Sequence, residues 1–280
     1  MLLAHASTVR LYKKKYQDKQ HGFIGLTLFI YGFVPLTNST IDAIATERAN
    51  DFYIGWFVEP LVFGEYPETI KKIAGSRIPV FTIHESRMVK GSFDFIGVNY
   101  YNTYYIKDNS DSWKLEQRDV LTDMAVEMLI DRDNIIPNEF PTRPWGLQAI
   151  LEYIKQAYGN PPVYIHENGQ MTRRNSSLED TSRVKFLHAH MGSVLDSIRN
   201  GSNVRGYFVW SLLDVLELLD GYETGFGLYF VDLDDPDLRR YPKLSANWYS
   251  LFLKGNEVSL DGIIELQKKF SVAPASVANV

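Results

Sequence analysis

Residues 161–170 read Pro-Pro-Val-Tyr-Ile-His-Glu-Asn-Gly-Gln, and few folds accommodate that order of residue types. The two prolines end any preceding helix, because proline lacks a backbone N–H and its ring crowds the previous turn. Val163, Tyr164 and Ile165 then make a short apolar run, the pattern of a strand buried in a parallel sheet. Glu167 follows where the strand runs out, and Asn168-Gly169 turns the chain away. The carboxylate is therefore expected at the carboxyl end of the sheet, where parallel α/β folds bind ligands. A solvated glutamate in a strand-end turn is the plain alternative, and the neighbouring chain decides between them.

That neighbouring chain alternates helices and strands. Leu2, Leu3, Ala6, Val9 and Tyr12 recur at helical spacing, so a helix begins at the first residue with no capping residue before it. A buried strand follows over Ile24 to Ile30, then a helix over 41–57 and a rigid, aromatic, proline-punctuated loop from Trp56 to Pro67. Glu68 to Ala74 reads as a short helix, and Phe93 to Tyr101 as a strand ending in Asn99-Tyr100-Tyr101. The span 106–144 shows little regular pattern, and loops of that length usually serve function. Leu147, Ile150, Leu151, Ile154 and Tyr158 predict a helix closed by Gly159-Asn160, directly before the Glu167 strand. Val184 to Ile198 is the next helix, Gly206 to Leu212 the last strand, Leu244 to Leu253 a final helix, and Ser271 to Val280 a loose tail.

Four strands, each reached through a helix, predict an α/β fold with a parallel sheet of right-handed crossover units. With 280 residues, 45% of them hydrophobic, the chain buries a large core and is expected to form a single unit over 1–280. A net charge of −5 with scattered basic residues argues against a nucleic-acid surface, and Lys13-Lys14-Lys15 reads as the solvated end of a helix. Without cysteine there is no disulfide, thiol catalysis or Cys-ligated zinc. No stretch is long and apolar enough for a membrane span, and the first residues do not read as a signal peptide.

Several motifs are decoys. His84-Glu85 and His166-Glu167 start like a zinc-protease helix, but Met88 and Gln170 stand where the second histidine is required. His188 and His190 are two apart on a helix and point to different faces, so no metal or other cofactor is expected. Glu59-Pro60 follows a helix rather than a strand and is read as structural. The positive set is Asn99, Tyr101, Glu167, Trp210, Glu217 and Phe226, gathered from three strand exits at one mouth of the sheet. A tyrosine hydroxyl orients a carboxylate there, a tryptophan face stacks on the apolar side of a pyranose, and a glutamate accepts hydrogen bonds from sugar hydroxyls. Fourteen per cent aromatic content suits such a site, although a ring-rich core uses rings equally well.

The segments DFYIGWFVEPLVFGEYP (51–67), FDFIGVNYY (93–101), VYIHENGQ (163–170), GYFVWSLLDVLELLDGYETGFGLYFVD (206–232) and RRYPKLSANWY (239–249) together resemble the C-terminal part of a plant β-glucosidase of glycoside hydrolase family 1. The resemblance implies the second half of a (β/α)₈ TIM barrel, with the four strands as the last four of eight. It implies retaining hydrolysis of glucose-like β-glycosides, with Glu167 as nucleophile and Asn99, Tyr101, Trp210, Glu217 and Phe226 in the sugar pocket. The family's acid/base glutamate lies in a Thr-x-Asn-Glu-Pro segment at the end of the fourth strand, and no Asn-Glu-Pro occurs here. Three positions depart from the family pattern: His166 replaces a threonine, Leu218 a sugar-binding tryptophan and Gly225 an arginine. The expectation is a chain with the nucleophile half of the site and little hydrolysis of ordinary glycosides, prone to self-association through open barrel edges. A non-catalytic carbohydrate-binding pseudoenzyme and a non-functional truncated isoform are the alternatives. The family often follows a secretory or vacuolar route, which leaves the compartment of this chain open.

Overall fold

In a computed structural model, which describes residues 1–130, 139–174 and 176–255, the apolar runs become the strands of a parallel α/β sheet. Two compact units are distinguished, one comprising Met1–Asp133, Trp145–His166 and Ser193–Tyr207, the other Asn134–Pro144, Glu167–Gly192 and Phe208–Val280.

The first unit opens with α1 (Leu2–Lys15), whose apolar spacing buries Leu2, Ala6 and Val9, and α2 (Gln17–Gln20). Strand β1 (Gly25–Pro35) follows, then α3 (Thr40–Asn50), whose N-cap Ser39 accepts a hydrogen bond from the Asp42 backbone. A π turn over Asp51–Gly55 leads into α4 (Trp56–Phe63), which ends at Gly64 with φ 94°. The region expected to be a proline-punctuated loop is thus helical. Pro60 removes a single backbone donor, while Ile54, Val58 and Leu61 keep helical spacing and are wholly buried. Helices α5 (Glu68–Ala74) and α6 (Ile83–Val89) precede β2 (Phe95–Asp108), and α6 starts with a Thr82/Glu85 capping box.

Strand β2 runs seven residues past the predicted end at Tyr101, reaching Asp108. Its ladder with β1 continues to Pro35↔Ile106, and Tyr105–Asp108 then pair antiparallel with β3 (Val126–Leu129). Asn99 and Tyr101 consequently sit inside a strand. The span expected to be irregular holds both β3 and α7 (Val120–Met124). Helix α8 (Pro144–Tyr158) leads to β4 (Val163–Asn168), followed by the short β5 (Thr172–Arg173), α9 (Thr181–Arg199) and β6 (Val204–Val209).

The sheet order is β1-β2-β4-β6, each neighbour reached by a helical crossover. Leu28, Ile30, Ile96, Val98, Val163 and Ile165 form one core with Ala6, Val58, Leu61, Leu147 and Leu151 from the helices. Each such side chain contributes about 1.5–3 kcal/mol by leaving water. The second unit adds β7 (Thr224–Gly225) against β5, and a ribbon of β8 (Tyr229–Val231) and β9 (Arg240–Pro242). Its core packs Val184, Phe186 and Leu187 of α9 against Leu228 and against Leu244 and Trp248 of α10 (Leu244–Leu253). The tail 271–280 lies outside the described residues. Among those described, no helix is long and apolar enough to cross a membrane.

Candidate active site

Glu167 is the penultimate residue of β4 and half-buried. The chain beyond it passes close to the first residue after β6: Trp210 N donates to Asn168 O at 3.0 Å. A Cβ at Gly169 would strike the Trp210 carbonyl oxygen, so this approach requires glycine. From Trp210 the chain zips against the segment that carries Phe226. Ser211 N donates to Phe226 O at 3.1 Å, Leu228 N to Ser211 O at 2.9 Å and Asp214 N to Tyr229 O at 3.0 Å. Glu217 then closes a small turn by exchanging backbone bonds with Gly221 at 2.8 and 2.9 Å. Four of the six predicted residues, Glu167, Trp210, Glu217 and Phe226, therefore belong to the second unit. Asn99 and Tyr101 belong to the first, on β2.

Buried charges that sequence reasoning did not single out brace these segments from behind. Arg183 of α9 has no exposed surface. Its guanidinium donates to Gln170 O (3.0 Å), three residues past Glu167, and to Gly225 O (2.8 Å) and Gly227 O (2.5 Å), which flank Phe226. Thr172 Oγ1 (3.0 Å) and Asp180 Oδ2 (2.7 Å) take the remaining bonds. Gln170 clamps Phe140 at both backbone groups, at 2.7 and 2.9 Å, and the Phe140 ring lies 6.1 Å from that of Phe226. Asp214 Oδ1 accepts from Gly227 N at 2.8 Å and from buried Lys243 Nζ at 2.9 Å. A charge on a helix face or in a turn normally reads as solvated, so the pattern alone offered no signal for this network.

The electrostatics centre on Glu217. Burial raises its pKa above the usual carboxylate range, a hydrogen bond from the Trp210 side chain opposes the rise, and the charges of Glu167, Asp214 and Asp220 add to it. Oxygen Oε1 of Glu217 is buried with no hydrogen-bond partner, as is Oδ1 of Asn99. Unmet buried acceptors of this kind suit a ligand rich in hydroxyl donors. Leu218 is 97% exposed and closes nothing around Glu217. At Gly225 an added Cβ would lie 2.6 Å from Asp214 Oδ1, so glycine there leaves that oxygen to Gly227 N and Lys243 Nζ.

His188, His190 and Glu59 lie in separate surroundings. His190 is buried with Nδ1 2.8 Å from Phe186 O, and burial lowers its pKa to about 4, while His188 is exposed. Among the described residues no three His, Asp or Glu side chains converge as a metal site. Glu59 lies on α4, where burial, helped by the charge of Asp51, pushes its pKa up to about 7.

Comparison with known proteins fits this geometry. Residues 1–258 match "Glycosyl hydrolase family 1". Beta-glucosidase 11 of Arabidopsis thaliana is 54% identical over 279 residues, covering 91% of this chain and 54% of that protein. A cyanidin 3-O-glucoside 5-O-glucosyltransferase (acyl-glucose) of Dianthus caryophyllus is 49% identical over 265 residues, covering 92% and 53%. A rice β-glucosidase crystallised in a covalent complex with glucose superposes with a TM-score of 0.81 at 39% identity, over 89% of this chain and 55% of that one. The chain thus spans about half the length of the relatives it matches. With that match running from residue 1 to residue 258, the chain belongs to glycosyl hydrolase family 1, and its parallel sheet is part of that family's TIM-barrel fold.

Proposed function

We propose that residues 1–280 act as one unit carrying the nucleophile half of a retaining β-glycosidase site. The observation that carries this reading is the placement of Glu167 at the end of β4 in the same braced unit as Trp210, Glu217 and Phe226. A Glu167 oxygen attacks the anomeric carbon of a β-glucoside, the bond to the leaving oxygen breaks, and a glycosyl ester forms. Water then cleaves the ester with net retention. Within the second unit Trp210 offers a stacking face, Glu217 Oε1 accepts sugar hydroxyls and Phe226 adds an apolar ring. Asn99 and Tyr101, on β2 of the first unit, keep the sugar-binding roles that the family resemblance implies.

No Asn-Glu-Pro segment supplies a general acid in this sequence. General acid–base assistance contributes about 10² to 10⁴-fold, so alkyl glucosides are expected to turn over poorly. Donors whose leaving group departs as a stable anion escape that requirement. Dinitrophenyl glucosides are one class and 1-O-acyl glucoses, which release a carboxylate, are another. The Dianthus relative, named for glucosyl transfer from acyl-glucose, supports a second reading in which a phenolic acceptor replaces water. Self-association through β1 and β6, the ends of the sheet order, belongs to the same proposal.

The test is a comparison of turnover on dinitrophenyl β-glucoside, methyl β-glucoside and a 1-O-acyl-β-glucose with and without a phenolic acceptor. Reaction confined to the activated donors supports the reading, and an acceptor glucoside formed from the acyl donor supports the transfer variant. Saturable sugar binding without reaction on any donor assigns a non-catalytic role.

A further inference from the structure

The first unit holds a charged groove for which glycoside chemistry has no use. It opens between α1 and α6 with a volume of about 700 Å³. Arg10, Lys13 and Lys14 line it from α1, His84 and Arg87 from α6, and Lys90 from the residue after α6. The chain as a whole is acidic, with a formal charge of −5, so this concentration of cations is local.

The positive charge is largely uncompensated. Lys13 pairs with Asp94 at 2.8 Å, and that carboxylate also accepts from Ile24 N at 2.9 Å. Glu85, beside His84, is engaged in the capping box with Thr82 N and Oγ1, both at 2.8 Å. Arg10, Lys14, Arg87 and Lys90 have no carboxylate partner among the described residues. The dipole of α1 favours Lys13 and Lys14 in its last turn, but it does not account for Arg10 or for the cations on the opposite wall. Like charges in a concave site repel one another and focus a positive field, which an anion relieves.

The walls are fixed before any ligand arrives. Leu2, Ala6 and Val9 anchor α1 in the core, Val89 anchors α6, Ser92 O accepts from His5 Nε2 at 2.7 Å, and Gly91 N donates to Leu61 O at 2.7 Å. The lining carries no Phe, Tyr or Trp ring to stack on a sugar or base. It does present one arginine from each wall, and each guanidinium forks onto a phosphate through two parallel N–H donors. With an arginine and further cations on each wall, a molecule with two or more linked phosphates has more donors to engage than a single anionic group can use. We infer that the groove between α1 and α6 is a binding site for a small molecule bearing at least two phosphate groups.

The test is titration calorimetry of the 280-residue chain with inorganic tripolyphosphate, at 50 and 500 mM salt. The expected result is saturable one-to-one binding that weakens steeply at high salt, with orthophosphate at least about tenfold weaker. Losing one charge-assisted arginine contact reduces affinity about tenfold, so Arg10→Gln with Arg87→Gln together reduces it about a hundredfold. Lys107→Gln, on an exposed lysine paired with Glu127 at 3.5 Å, leaves binding unchanged. All the substituted side chains are exposed, so the variants are expected to keep the fold, which circular dichroism checks. No saturable binding at low salt overturns the inference, as does a double variant that binds like the original chain. Binding to vesicles bearing phosphoinositide headgroups without binding to tripolyphosphate also overturns it, in favour of a membrane surface.

Discussion

Arg183→Met removes the brace behind the site without removing any group proposed to touch the sugar. Arg183 donates five hydrogen bonds from a fully buried position, to Gln170 O, Asp180 Oδ2, Gly227 O, Thr172 Oγ1 and Gly225 O. Methionine fills similar apolar volume but leaves the Asp180 carboxylate, whose side chain is 1% exposed, without its cation. Breaking a buried ion pair at one partner costs about 3–5 kcal/mol, a large share of the roughly 5–15 kcal/mol that holds a domain folded. Asp180 keeps its bonds from Ser245 N and Oγ at 2.8 and 2.6 Å, which places the expected loss near the lower bound, about 3 kcal/mol. Burial already raises the Asp180 pKa, with the charge of Arg183 opposing the rise. Without the arginine the carboxyl takes up a proton at higher pH, so the loss is greatest at neutral pH and shrinks on acidification. Adding Asp180→Asn removes the uncompensated charge and restores part of the stability. The assay is urea unfolding followed by near-ultraviolet circular dichroism and by tryptophan fluorescence. A loss below about 1 kcal/mol at pH 7, or one independent of pH, refutes the role assigned to the pair.

Three further outcomes are expected. Glu59 has a folded pKa of about 7, above its unfolded value, so its contribution to stability is fully present below the ordinary carboxylate range and is lost as pH rises to about 7. Glu59→Gln is therefore neutral at pH 4 and stabilising by about 1 kcal/mol at pH 8, after discounting for partial exposure, and equal effects in urea unfolding at both pH values contradict this. Glu217→Gln removes a charge-assisted acceptor and weakens calorimetric binding of an unreactive β-glucoside about tenfold without lowering the melting temperature; an unchanged Kd removes Glu217 from the sugar pocket. Gly169→Ala forces a methyl group onto the Trp210 carbonyl, costs about 1–3 kcal/mol and slows covalent labelling of Glu167, and a variant as stable and reactive as the original chain argues against this close approach.

The parts of the fold legible in the sequence were those where local pattern and tertiary packing agree. The run Val163–Ile165 between Pro162 and Gly169 is a strand for the reasons its composition suggests, and Leu244–Leu253 is a helix with those same bounds. Proline punctuation misled around Pro60, because the buried positions Ile54, Val58 and Leu61 outweigh one missing donor. The far end of β2 was illegible because β3, which extends it, is some twenty residues away in sequence and carries no hairpin signal. Glu167 near the end of β4 and Trp210 just after β6 lie where the local pattern predicts a strand to run out, whereas Asn99 and Tyr101, expected at a strand exit, fall inside β2. The Asp214–Lys243 pair, 29 residues apart, and the Arg183 contacts to Gly225 and Gly227, 42 and 44 apart, are products of tertiary packing. Nothing in a helix such as α9 distinguishes a buried arginine from a solvated one.

The central claim, that Glu167 is a working nucleophile, is tested most directly by intact-mass analysis after incubation with a dinitrophenyl 2-deoxy-2-fluoro-β-glucoside. The leaving group departs without an acid, and the fluorine slows hydrolysis of the ester. The account predicts one fluoroglucosyl adduct, located by peptide mass at Glu167 and absent from Glu167→Ala. No adduct on folded protein, or an adduct that persists in Glu167→Ala, contradicts it.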